Sequence, residues 1–127
     1  MAQIKTYRDL SVWQKSLELV TVVYQITENF PRSEIYGLTS QMRRAAVSIV
    51  SNIAEGKARG TRKDYRLFIL YAFGSGSELE AQVIIAKRLF VSQNINYETV
   101  DNLLDQVMKM LNVLIRKLDP SNLAPKT

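Results

Sequence analysis

Lys57, Arg59, Arg62, Lys63 and Arg66 crowd into the segment Gly56 to Arg66, where Asp64 is the only carboxylate; five minus one leaves +4, against +5 for the whole chain. A local basic block on a near-neutral body points to an anionic partner met at one place. The block straddles a predicted helix start, where cations oppose the macrodipole. A bound phosphate would satisfy the free N–H groups and the cations together. Contacts of that kind are independent of sequence and sensitive to salt. The alternative is an ordinary solvated loop. The order Gly-x4-Gly-Lys-Ser/Thr of a nucleotide-binding loop is absent.

A second set of polar residues recurs at steps of three and four: Gln41, Arg44, Ser48, Asn52 and Glu55. On a helix they form one stripe, beside the apolar Met42, Ala45, Ala46, Ile49 and Ile53. The stripe reads either as a substrate groove or as a hydrogen-bonded seam between helices or subunits. Arg44 and Glu55 stand about 16 Å apart along such a helix and cannot pair. Glu78 or Glu80 is the expected partner for Arg44. Further on, Gly74-Ser75-Gly76-Ser77 interrupts a helical pattern, and each mid-helix glycine costs about 1 kcal/mol relative to alanine. Close approach of another backbone would offset that cost; a hinge or pocket is the other reading.

The residue types argue against catalysis. The chain has no His and no Cys. That removes the common general base, the usual zinc sites, any disulfide frame and any thiolate nucleophile. A ferritin-like centre needs Glu-x-x-His pairs. Glu78 and Glu80 point to different sides of a helix. No metal site, cofactor or enzymatic activity is expected.

Four amphipathic segments must position these residues. The first runs from about 9 to 30, with Leu10, Trp13, Leu17, Val20, Tyr24 and Thr27 in one row and Val12, Leu19, Val23, Ile26 and Phe30 in another. Asp9 or Ser11 is its expected cap. The second runs from 34 to 55, capped by Ser33, with Gly56 in the left-handed position beyond its end. The third runs from 61 to 92 behind a Thr61 cap, and the fourth from 97 to 118 behind Asn96. Residues 119–127 read as a disordered tail. Short loops favour antiparallel neighbours, so the expected fold is an all-α, up-down-up-down four-helix bundle in a single domain of 127 residues. The surplus of apolar rows predicts a homo-oligomer. No signal peptide or membrane span is visible, and with the lack of Cys this suits a cytoplasmic home.

Several segments carry a resemblance over Tyr7 to Leu118. They are Asp9-Leu10-Ser11-Val12-Trp13-Gln14, Phe30-Pro31-Arg32-Ser33-Glu34-Ile35-Tyr36-Gly37-Leu38, Gln41-Met42-Arg43-Arg44-Ala45-Ala46, Ser48-Ile49-Val50-Ser51-Asn52-Ile53-Ala54-Glu55-Gly56 and Ala72-Phe73-Gly74-Ser75-Gly76-Ser77-Glu78-Leu79. The chain resembles the bacterial four-helix bundle family named for proteins encoded in intervening sequences of large-subunit ribosomal RNA genes, some of them labelled ribosomal-protein-like. Ser16 stands where that resemblance leads one to expect Ala. The resemblance implies a homo-oligomeric bundle, a ring of five, similar to the accessory protein of diversity-generating retroelements. It implies association with nucleic acid or ribonucleoprotein.

The resulting expectation is a non-enzymatic oligomeric bundle that binds RNA or DNA. Lys57, Arg59, Arg62, Lys63 and Arg66 would contact phosphates, with Arg43 added. Gln41, Arg44, Ser48, Asn52, Glu55 and Glu78 would form the polar seam. The alternative is a protein-interaction scaffold for an RNA- or DNA-processing partner.

Overall fold

A computed structural model describes residues 6–123, and among them the chain is helical with no strand. Four long helices carry the fold: α1 Ser11–Thr27, α2 Leu38–Ala58, α3 Arg62–Leu89 and α4 Glu98–Lys117. Each packs on its chain neighbours, and α1 closes the ring against α4. The arrangement is an antiparallel, up-down-up-down four-helix bundle. The most extensive contact is between α2 and α3.

Local chemistry sets the helix ends. Thr6 caps a single 3-10 turn, Tyr7–Asp9, by accepting the Arg8 N–H at 3.2 Å, and Asp9 returns the bond to the Thr6 N–H at 3.1 Å. The helix itself then starts at Ser11, so neither Asp9 nor Ser11 is its cap. After Pro31 a second 3-10 turn, Arg32–Glu34, precedes α2. The Glu34 carboxylate, not Ser33, accepts the Leu38 N–H at 3.1 Å. Thr61 accepts the Asp64 N–H at 3.2 Å, and Asn96 accepts the Glu98 N–H at 2.9 Å. These bonds satisfy donors that a helix start leaves free.

Two glycines behave differently from the expectation. Gly56 is not beyond α2 but inside it, and it is buried. A Cβ there would stand 2.7 Å from Phe68 Cβ and 3.3 Å from the Tyr65 carbonyl oxygen. The bare backbone is what lets α3 approach. The left-handed turn falls instead at Gly60, with φ of 85°. In α3, Gly76 seats the Met108 side chain of α4, whose sulfur would lie 2.2 Å from an added Cβ. The neighbour is thus a methionine side chain and not a backbone. Gly74 meets nothing within 4 Å.

The core is lined by Leu19, Val23, Met42, Ile49, Ile53, Ile69, Leu79, Val100, Val107 and Leu111. In α1 the row containing Val12, Leu19, Val23 and Ile26 faces inward, while Leu17 is 45% exposed at the edge. Ser16 is fully buried, and its hydroxyl donates to the Trp13 carbonyl at 2.7 Å. A serine in place of alanine is therefore satisfied locally. Of the tail 119–127, residues 119–123 are among the described residues. Pro120–Leu123 forms a 3-10 turn, and the Asp119 carboxylate accepts the Ser121 N–H at 2.9 Å and its hydroxyl at 2.8 Å. Residues 124–127 lie outside the described residues.

The two glycine environments predict opposite effects. Gly56→Ala lowers stability by about 1–3 kcal/mol, because Phe68 Cβ is tied to its backbone and cannot yield. Gly74→Ala raises it by up to about 1 kcal/mol, the helix-propensity gain alone. Urea unfolding of dilute protein measures both.

Candidate nucleic-acid interface

The up-down topology brings the start of α1, the end of α2, the start of α3 and the end of α4 to one pole. Arg8, Lys57, Arg59, Arg62, Lys63, Arg66, Arg116 and Lys117 gather there, against Asp9, Glu55, Asp64 and Asp119; eight minus four is +4. The other described residues carry seven cations and eight carboxylates, or −1. The net positive charge of the described residues therefore sits at one end of the bundle.

The five cations of the basic block do different things. Arg59 pairs with Glu55 at 2.8 Å and lies over the Phe68 ring, 4.8 Å from its centroid. Arg62 donates to the Lys117 carbonyl. Arg66 donates to the Ile115 carbonyl at 3.2 Å and approaches Asp119 at 3.7 Å. Arg62 and Arg66 thus satisfy carbonyls at the C-terminal end of α4, where cations also suit the dipole. The Lys57 ammonium stands 5.3 Å from the Tyr65 ring centroid, and Lys63 is exposed. Among the described residues, no carboxylate pairs with Lys57, Arg62, Lys63, Arg116 or Lys117.

Sequence reasoning missed Arg8, Arg116 and Lys117. The signal was a pair of cations in the last turn of the fourth helix, which an up-down order places beside the start of the third. Arg43, by contrast, does not join the pole. It lies some fifteen residues up α2 from Ala58, about 22 Å along the axis. There it donates to Thr27 Oγ1 at 2.9 Å, to Glu28 at 3.0 Å and to the Tyr24 carbonyl at 3.4 Å. Its guanidinium also covers the Tyr24 ring at 4.4 Å. That geometry caps the end of α1, which is a structural task.

The polar stripe separates into two parts. Ser48 hydrogen-bonds Ser75 across α2 and α3 at 2.9 Å, and Asn52 Nδ2 donates to the Ser48 carbonyl at 2.8 Å and hydroxyl at 3.0 Å. These residues form a hydrogen-bonded seam. Gln41, Arg44, Glu55 and Glu78 are exposed instead. Arg44 makes no ion pair with Glu78 or Glu80 among the described residues. The described residues contain no group of three or more His, Cys, Asp or Glu able to hold a metal ion. No helix among them is long and apolar enough to cross a membrane.

Fold and charge define an all-helical bundle with one basic pole. The family model of the 23S rRNA-intervening sequence protein matches residues 8–113, and the chain belongs to that family. It is similar in structure to a protein of unknown function from the S23 ribosomal protein family of Bacteroides thetaiotaomicron VPI-5482. The TM-score is 0.72 at 23% identity, over 83% of this chain and 98% of that one. At that identity the likeness shows the fold alone. No curated protein matches the chain.

Tyr65, at the rim of the pole, has its phenol pushed above the usual 10.0 by burial. Below that value the phenol is neutral whether the chain is folded or not. As pH rises past it, the unfolded chain ionises first, so stability falls. Tyr65→Phe should flatten that alkaline fall, as read by thermal melts at stepped pH.

Proposed function

We propose that the chain is a non-enzymatic, oligomeric bundle that binds nucleic acid, RNA or DNA, through its basic pole. The observation that carries this reading is the segregation of charge: +4 at one pole and −1 over the other described residues. A compact cluster in which Lys and Arg outnumber carboxylates eight to four suits a chain of phosphates better than any small apolar ligand. Lys57, Arg59 and Lys63 are the contacts, with Arg116 and Lys117 beside them. Arg62 and Arg66 hold α4 while leaving the local field positive. The family name, and the kinship to the retroelement accessory protein that the resemblance implies, agree with this reading.

Self-association belongs to the same proposal. The outward face of α3 forms a strip about 33 Å long that is apolar at Leu67, Leu70 and Tyr71 near its start and at Ile84, Ile85 and Leu89 near its end, with Gly74, Ser77 and Glu78 exposed between them. A helix that is apolar on both sides is one that becomes covered. Arg44 and Glu78 would rim such a contact with charge. A ring of five is the count the resemblance implies, and it would repeat the basic pole and multiply weak phosphate contacts. The proposed setting is the cytoplasm.

A second reading, a scaffold for a protein partner, is favoured by the opposite pole. Phe30 and Phe90 pack there at 4.8 Å between centroids and join the two connections. Around them Tyr36 is 96% and Val91 75% exposed. Such a patch suits a protein surface rather than a polyanion.

The deciding experiment is a binding titration against single-stranded and duplex RNA and DNA at two ionic strengths. Affinity should fall steeply with salt, and converting Lys57, Arg59 and Lys63 to Glu should abolish retention at low salt with the helical circular dichroism intact. Unchanged retention would remove the assignment. Light scattering at micromolar concentration should give a mass above that of one 14.5 kDa chain.

A further inference from the structure

Two clefts on the flanks of the bundle carry opposite charge. The first, of about 390 Å³, lies along α1 and α2, with Tyr24, Ile35, Ser40, Arg43, Arg44 and Val47 in its lining and no carboxylate. Arg43 is engaged with Glu28 at 3.0 Å, whereas Arg44 is exposed and makes no ion pair among the described residues. Tyr24, Ile35 and Val47 are exposed apolar walls. The second cleft, of about 240 Å³, lies between α3 and α4 and holds Glu80, Asp101 and Asp105 against Lys87, or −2. Lys87 pairs with Asp101 at 2.7 Å, and Lys109 from outside pairs with Asp105 at 2.9 Å. Glu80 is exposed and has no such partner among the described residues. Ile84, on the same cleft, is 59% exposed.

The two clefts stand at the same height. Ser48 bonds Ser75 across α2 and α3. Antiparallel helices rise equally per residue, so four steps from that bond set Arg44 level with Leu79, beside Glu80. Met108 of α4 seats on Gly76 of α3, and four steps from there set Leu104 level with Glu80. Arg44, Glu80 and Asp105 therefore share one level of the bundle. Ser40 and Ile84 share another, about 6 Å nearer the pole of Phe30 and Phe90. Because α1 packs on α2 and α4, and α3 on the same two helices, the clefts lie on opposite flanks.

We propose that the α1–α2 cleft is a docking surface for the α3–α4 cleft of a second copy of this chain, with the two bundle axes parallel. The inference rests on the self-association reading above and names the two surfaces it uses. Arg44 of one copy then meets Glu80 and Asp105 of the next with no axial shift, and Ile84 of the next packs beside Ile35 and Ser40. Exposed ion pairs add little strength, but they select the partner surface. A two-fold contact of either cleft with itself would set Arg44 against Arg44, or Glu80 against Glu80, and like charges disfavour it. Arg44 stands six residues from one end of α2 and fourteen from the other, so reversing the neighbour's axis throws the levels out of register. A contact between two different surfaces can repeat from copy to copy, closing into a ring where the rotation allows. Parallel axes put every basic pole on the same side of that assembly.

The test is a charge exchange read by light scattering over a dilution series of the full chain. Arg44→Glu and Glu80→Arg, each alone, should raise the concentration at which the assembly dissociates by roughly tenfold or more. The double variant restores opposite charges and should regain the wild-type value, which a merely structural role for either residue would not produce. A second readout leaves these charges untouched. The chain has no Cys, so Ser40→Cys and Ile84→Cys introduce the only thiols. With a short bis-maleimide, the chain bearing both should give a ladder of cross-linked multimers, and each single variant should give none. Single reversals that leave dissociation unmoved, a double variant that stays dissociated, or a cross-linked dimer from either single cysteine variant overturns this pairing and leaves self-association through other surfaces standing. A wild-type mass of one 14.5 kDa chain throughout the series overturns both.

Discussion

The close approach of α2 to α3 is the constraint on which the rest depends. Gly56 lies against Phe68 and the Tyr65 carbonyl with no room for a side chain, and Ser48 bonds Ser75 a little over two turns away. Between those points Ile49, Ile53, Ile69 and Ala72 are wholly buried, and Ala45, Ala46 and Leu79 just beyond them are almost so. Small residues at such a seam let dispersion contacts accumulate at short range. Because the two helices are held this tightly, only Arg59 to Thr61 is needed to connect them. The connection has little freedom left, and Gly60 absorbs the turn. The basic block is therefore presented at a defined place and not on a floppy loop.

The same geometry explains why the cations are not equivalent. Carbonyls at the end of α4 would otherwise face solvent, and Arg62 and Arg66 reach across from α3 to meet them. Arg43 performs the matching task for α1 at the far end of α2. Cations that satisfy helix termini contribute field but few free donors. Lys57, Lys63, Arg116 and Lys117 are left with neither a helix terminus nor a carboxylate to satisfy, and Arg59 with Glu55 alone. The proposed polyanion surface is thus smaller in free donors than the run of basic residues suggests, and wider in space.

The surface falls into three zones of different character: a basic pole, an apolar strip along α3, and a pole crowned by Tyr36 and Val91. Gly74 lies in the strip, where it weakens the helix without any neighbour to account for it. That cost makes sense if another chain covers the strip. An arrangement of this kind would let one particle engage nucleic acid at one end while its flanks and opposite end meet protein.

Much of this was legible from residue spacing. Apolar steps of three and four, few glycines and prolines, and Thr61, Asn96 and Pro31 at the breaks determined four antiparallel helices, since helix periodicity and capping are local properties of the chain. The absence of His and Cys narrowed the chemistry in the same direct way. Other facts were hidden for a physical reason: they depend on which helix lies next to which. The inward row of α1 could not be told from its neighbour row, because both are apolar and only packing chooses between them. Gly56 looked like a helix end because its bare Cα suits that place, and only the position of Phe68 reveals a close contact. Arg43 looked like one more free cation until Thr27 and Glu28 were seen beside it. The joining of residues 57–66 with Arg116 and Lys117 across fifty positions of sequence is a product of tertiary structure alone. Coulomb fields sum over distance in space, and the order of residues along the chain does not record that distance.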